Sequence, residues 1–445
     1  MNMKLSVDFL FFVRGYFHLT GPFFFETRIF PIKFIIGRPC SFCASGNGFQ
    51  SLLNTREGLH MGLSVLRYFL LNWILWGLCV FLLPAGCSSD GNASAEAQTR
   101  KDWLMRTPTP ESEFAPTGIE GVIDNIVTAL NETEQELGVK SVFMPKTMES
   151  FFEDANLGAT RAFGELGLLG TVIAPPSSSG ENDANPQQLQ IDFFSSQLAD
   201  GVLLYGIAPN SQEIFEQMNS AVTAGGVVVT FDTDRSESLR QFYVGTNNVE
   251  AGRTAGATMD SLIPAGITGT VIVLGTNDSN WLDGYNRTHE ARKVLEGEGH
   301  VVEVLESHWV DYNINITSIS ESISNANPPV VGCLGVFNIS YACAEAVVAL
   351  GLEGEIKVAT FDAEPETLNY MNEGVIQATH TQRLYYMGYL VPYVSYAVYR
   401  LGVEKTRSLL RPLLIDDQRI DTGLDVIRAD KMGEYDAFMD KLNAL

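Results

Sequence analysis

Short β-branched runs alternate with longer stretches of helical periodicity over most of the chain. Ile119, Val122, Ile123, Ile126, Val127 and Leu130 recur at three- and four-residue spacing with acids on the far face, which predicts a helix over 119–137. Strands are predicted at Val142–Met144, Thr171–Ile173, Gly201–Tyr205 and Val227–Phe231, separated by helical stretches at 151–168, 186–198 and 211–224. The rhythm then restarts, with strands at Val271–Leu274, Val301–Leu305, Val330–Val336 and Val358–Phe361 and helices at 287–298, 314–324 and 343–350. The crossovers are long enough for parallel pairing. The first round runs 90 positions from Val142 to Asp232 and the second 91 from Val271 to Asp362. Matching order and length predict two similar α/β lobes, each a doubly wound parallel sheet, in preference to one large sheet.

Each round ends on the same words, Thr230-Phe231-Asp232 and Thr360-Phe361-Asp362. An apolar run that stops on a carboxylate is what a buried parallel strand leaving its core looks like. Ligands of open α/β sheets sit beyond the carboxyl ends of the strands. One acid per lobe therefore predicts two sheets facing a shared cleft.

The bulk composition narrows the partners. The 445 residues carry a net charge of −24, which argues against nucleic acid, because phosphate binding needs a basic surface. Cys40 and Cys43 have redox spacing but no flanking strand and helix, so they are not read as a redox site. Cys333 and Cys343 fall on a predicted strand and the next helix and are expected to be buried free thiols.

Residues 61–87 read as a secretion signal: Arg67, an apolar stretch from Tyr68 to Leu83, then Pro84-Ala85-Gly86-Cys87 and a polar run. The small-small-Cys ending resembles a bacterial lipobox, which implies a lipid on Cys87 as the one membrane attachment. Pro84 stands where that motif prefers an aliphatic residue, so an ordinary signal or an uncleaved anchor stays open. Met61 is the expected native start, and 1–60 an upstream extension. Residues 88–118, rich in Ser, Gly, Ala, Thr and Pro, have the composition of a flexible tether.

At Phe151-Phe152, Val244-Gly245-Thr246-Asn247-Asn248, Arg287, Asn338, Asp362 and Gln382 the chain resembles the ribose-binding-protein group of periplasmic sugar-binding proteins, the type I substrate-binding proteins of ABC importers. Ile420–Ile427 resembles the closing segment of many members, and the resemblance spans about 139 to 430. It implies a fold whose chain crosses three times between lobes, here near Gly245, Arg383 and Arg411. Lobe 1 would then be 119–245 with 383–410, lobe 2 would be 246–382 with 411–430, and 431–445 would form a tail helix. The family catalyses nothing and uses no cofactor. It captures a sugar, as a monomer, and delivers it to a permease in the inner membrane.

The resemblance also implies the site. Phe151 and Phe152 would flank the sugar faces, as flat rings suit C–H surfaces. Asp232 and Asp362 would accept hydroxyl protons, with Asp234 competing for the role of Asp232. Arg287 would donate, and Asn338 and Gln382 would do both. Tyr312 would form the second aromatic wall, in competition with Trp309, with Trp281 a further loop aromatic. Glu149, Thr233 and Pro145 stand where the ribose group has Asn, Arg and Ser, so the cleft is more acidic and ribose is not the expected ligand. Glu149 would take extra hydroxyls or attract an amino sugar, or simply point to solvent.

Two other functions compete. A sensory protein presenting the same closed cleft to a receptor kinase needs no different residues. An enzyme is disfavoured, because no Gly-Xaa-Ser-Xaa-Gly, phosphate-loop or His-Glu-Xaa-Xaa-His motif occurs and the histidines show no metal spacing.

Overall fold

Two six-stranded sheets of matching strand order form the frame of the computed structural model, which describes residues 102–176 and 185–445. The first contains β1 (Lys140–Met144), β2 (Leu169–Val172), β3 (Leu204–Ile207), β4 (Val227–Phe231) and β5 (Phe242–Gly245). The second contains β6 (Thr270–Gly275), β7 (Val301–Glu306), β8 (Val330–Gly335), β9 (Lys357–Phe361) and β10 (Ala378–Thr381). Each is closed by a late strand, β11 (Arg419–Asp421) or β12 (Asp425–Arg428). The orders are β11-β5-β4-β3-β1-β2 and β12-β10-β9-β8-β6-β7. All pairs are parallel except β10 with β12. The two predicted rounds are therefore two lobes of one design, doubly wound as expected. The central strands are buried on both faces, as their unbroken Val, Ile and Leu runs require.

The chain passes between sheets at Thr246–Asn247, at Gln382–Arg383 and at Thr422–Leu424. The third passage corrects the expectation of a crossing near Arg411. Residues 411–421 stay with the first sheet, because β11 pairs with β5 through Ile420 and Val244. Strands of three or four residues draw their identity from such pairing, and little of it shows in local pattern.

Residues 102–116 are not a tether. Trp103 sits edge-on to Tyr396 at 6.2 Å and donates from Nε1 to the carbonyls of Leu130 (3.1 Å) and Thr133 (3.0 Å). Leu104 is buried, and its backbone exchanges two hydrogen bonds with the Asn131 amide at 2.9 and 3.0 Å. Arg106 pairs with Glu120 and Asp124. Phe114 is buried edge-on to Tyr435, 5.3 Å away, on the C-terminal helix Met432–Asn443. The first helix ends at Asn131, short of residue 137, where that asparagine turns its amide to Leu104.

The long helix Leu384–Leu401, which follows the second passage, packs on the first sheet and on the helix Glu153–Leu166. These helices meet backbone to backbone: a Cβ on Gly388 would collide with the Ala155 carbonyl. Cys333 and Cys343 are buried free thiols, as expected. Cys40, Cys43, Cys87, the signal at 61–87 and residues 1–60 lie outside the described residues.

Candidate functional site

Asp232 and Asp362 follow directly on β4 and β9, and both adopt a left-handed backbone, φ 58° and 63°. Aspartate tolerates this region better than most residues. Each turn is pinned from the next strand in its sheet. Asp232 N–H donates to the Val244 carbonyl (3.1 Å), and Tyr243 Oη donates to the Asp232 carbonyl (3.1 Å). Asp362 N–H donates to the His380 carbonyl (2.8 Å), and Thr379 Oγ1 donates to the Asp362 carbonyl (2.8 Å). The repeated Thr-Phe-Asp is thus a repeated turn that holds one carboxylate at the edge of each sheet.

The acids differ in their partners. Asp232 is paired at 2.7 Å with Lys146, which leaves the end of β1 in the same lobe. The Lys146 carbonyl is held by Asn210 Nδ2 (2.9 Å), which fixes that loop. Asp362 is buried, accepts from Gln382 Nε2 at 3.1 Å and has no cation in an ion pair. Burial pushes its carboxyl up to about 6, against the pull of Arg287 and the Gln382 amide and with a further push from Asp232 across the gap. The two acids end corresponding strands of opposite lobes.

Arg287 is the hub between lobes and hinge. Its Nε donates to Asn248 Oδ1 (2.6 Å), one Nη to the Val336 carbonyl (3.3 Å) and the other to Gln382 Oε1. Its guanidinium lies over the Phe361 ring, 5.1 Å from the centroid. Thr246 Oγ1 also reaches Gln382 Oε1 (3.3 Å). Thr246 and Gln382 stand at the first and second passages, and Asn248 opens the helix after the first. The helices carrying Asn248 and Arg287 touch at Gly252, where a Cβ would meet the Arg287 backbone. Arg287 is therefore buried and committed to the hinge.

The aromatic walls are unequal too. Phe151 is half-buried and lines a cavity beside Asp362 and Gln382, whereas Phe152 turns into the core, edge-on to Phe231 at 6.3 Å. In the second lobe Trp281 stacks on Phe337 at 4.6 Å, and Trp309 closes on both at 5.3 and 5.1 Å. Trp309 Nε1 donates to Asn338 Oδ1 (3.3 Å) and the ring remains 45% exposed.

Two expected contacts are turned elsewhere. Asp234 is gripped by Arg240 at 2.6 and 2.8 Å, and also accepts from the Arg235 N–H (2.7 Å), so its oxygens serve the loop. Tyr312 donates to Glu345 at 2.8 Å and lies 5.1 Å from Tyr341, in the packing between two surface helices. Glu149 is exposed at the start of the turn Ser150–Phe152. Its field reaches Glu364, whose carboxyl is pushed up to about 7 by burial, Asp362 and Glu366.

Lys146, Asp283 and Glu364 belong to this constellation and were not singled out from the sequence. Lys146 could have been found as the polar residue just beyond β1, one strand end away from Asp232. Asp283 accepts from Asn248 Nδ2 (2.9 Å), and its carboxyl is pushed up mainly by burial. Glu364 stands two residues beyond Asp362. Among the described residues no group of three or more His, Cys, Asp or Glu is placed to hold a metal ion.

The arrangement is an acidic site between two hinged lobes, with one ammonium paired to Asp232, two amides and aromatic faces on each side. The family model for the periplasmic binding protein domain matches residues 140–402, more than half of the chain. The protein belongs to the periplasmic binding protein family, a class of substrate-binding proteins without catalysis. Among solved structures it is similar to AraP, an arabinose-binding protein from Geobacillus stearothermophilus, with 22% identity, TM-score 0.57, 67% of this chain and 99% of that one covered. GanP, a glucose-galactose-binding protein from the same organism, matches with 22% identity, TM-score 0.53 and coverage of 67% and 99%. The periplasmic ribose ABC transporter protein of Conexibacter woesei matches with 19% identity, TM-score 0.57 and coverage of 68% and 95%. At these identities the likeness establishes the shared fold. No curated protein matches the chain in sequence.

Proposed function

We propose that this protein captures a sugar, a pentose, hexose or related polyol, between its lobes outside the cytoplasm and delivers it to an ABC permease. The observation that carries the reading is the pair of strand-end aspartates, held in opposite lobes by matching left-handed turns. A sugar needs acceptors for several hydroxyl protons, donors for its ring oxygen and flat surfaces for its faces. Asp232 and Asp362 are the acceptors, Lys146 a donor, and Asn338 and Gln382 the two-way groups. Phe151 and the Trp281–Trp309–Phe337 cluster supply the faces.

Arg287 serves by holding Gln382 and Asn248 at the hinge, which couples the contents of the gap to lobe closure. Closure brings Asp232 and Asp362 together, and a bound polyol separates and satisfies them. The names of the similar structures, arabinose- and glucose-galactose-binding, agree with this chemistry. Lipidation of Cys87 would keep the monomeric domain at the membrane that holds its permease.

The test is a thermal-shift panel of pentoses, hexoses, polyols and amino sugars on the full-length protein. One or a few should raise the melting temperature through binding to the native state alone. Silence across the panel would remove sugar capture.

A further inference from the structure

A cavity of about 250 Å³ opens beside the site, with Asp362 and Gln382 on its wall. Its far side is made by parts of the chain outside both lobe repeats. Phe114 comes from the N-terminal arm, and Tyr435 and Phe438 from the C-terminal helix. All three lie outside the residues 140–402 that match the family. The two-lobe frame supplies most of the lining, and the arm and tail helix, which meet through the Phe114–Tyr435 edge contact and the 2.8 Å Lys431–Glu113 pair, complete the wall.

Its lining combines ring faces with carboxyls. Phe151 is shared with the site, and Asp154 and Glu364 reach in from opposite lobes. Burial raises both carboxyls, Glu364 to about 7. Aromatic faces with carboxyl groups around a void repeat the recipe of the sugar site itself. The volume fits a ring: an apolar cavity of roughly 150 Å³ takes benzene.

Resting on the sugar reading above, we infer that this chamber holds the second ring of a disaccharide whose first ring lies between Asp232 and Asp362. The glycosidic bond would pass Asp362 and Gln382, and the second ring would lie against Phe151 and Tyr435 with its hydroxyls toward Asp154 and Glu364. The arm and tail helix would then set ligand length, while the lobes recognise the first sugar.

The experiment is calorimetric titration of the full-length protein with glucose, galactose, arabinose, xylose and ribose, and with lactose, melibiose, cellobiose, maltose and xylobiose. At least one disaccharide should bind about tenfold or more tighter than its free component sugars. Met439→Trp, which fills the chamber from the tail helix, should reduce that advantage to less than about twofold and leave the monosaccharide Kd within about twofold. If that variant does not fold, Tyr435→Ala should cost the disaccharide about tenfold and the monosaccharide less than about twofold. Monosaccharide binding with no disaccharide gain, or a gain that survives Met439→Trp, overturns the chamber and leaves the sugar site standing. Silence toward both sets overturns both.

Discussion

The two lobes share strand order, repeat length and the left-handed aspartate turn, yet their acids live in different surroundings. Asp232 has a lysine at 2.7 Å, whereas Asp362 is buried with an amide for its partner and Glu364 close by. A duplicated frame thus carries one charge-balanced jaw and one acid-rich jaw. The balanced jaw pairs its carboxylate with a lysine of its own lobe. The other jaw gains most when a ligand brings hydroxyl protons to Asp362.

This contrast makes a pH prediction, the largest effect expected. The Asp362 carboxyl is raised from its ordinary value to about 6 in the empty protein. An acid with a raised folded pKa stabilises the fold below its unfolded pKa, and that stability is lost as pH rises toward the folded value. Between about pH 4 and 6 the empty protein should lose roughly 2 kcal/mol through this group. His380 slopes the other way, since burial lowers its ring to about 4 and stability falls as pH drops. The difference between wild type and Asp362→Asn in denaturant melts across this range isolates the aspartate. A flat difference would break the contrast between the jaws.

The Asp234–Arg240 pair sharpens the first lobe. Removing Asp234 leaves Arg240 buried without its partner, which should cost about 3 kcal/mol in stability. Ligand affinity should change far less than stability, and an equal loss in both would return Asp234 to the site. Lys146→Met is expected to weaken ligand binding about tenfold, because Asp232 loses its neutraliser and the sugar a donor. Smallest is the aromatic contrast. Trp309→Ala should weaken binding about five- to tenfold, and Tyr312→Phe less than about twofold, by titration with the panel's best ligand. The reverse order would restore Tyr312 as the wall.

Much of the frame was legible because buried parallel strands leave unbroken β-branched runs and the runs repeat. The strand-end aspartates were visible for the same reason, but their left-handed turns were not. The third passage was not, since β11 and β12 are defined by partners far away in sequence. The arm was hidden by its own composition: Trp103, Leu104 and Phe114 are few among Pro and Thr, but they are the anchors. Asp232 and Asp234 differ in backbone conformation and in their cations, Lys146 and Arg240, which local pattern does not reveal. Tyr312 was drawn off by Glu345, on a different helix. Lys146 was a single lysine until the fold set it against Asp232.

The most direct test is calorimetric titration of wild type and Asp362→Asn with the sugar giving the largest thermal shift. Saturable binding by wild type and a loss of about a hundredfold or more in the variant, with its unliganded fold intact, is the predicted result. An unchanged Kd in Asp362→Asn would contradict it, because the acid-rich jaw would then not touch the ligand.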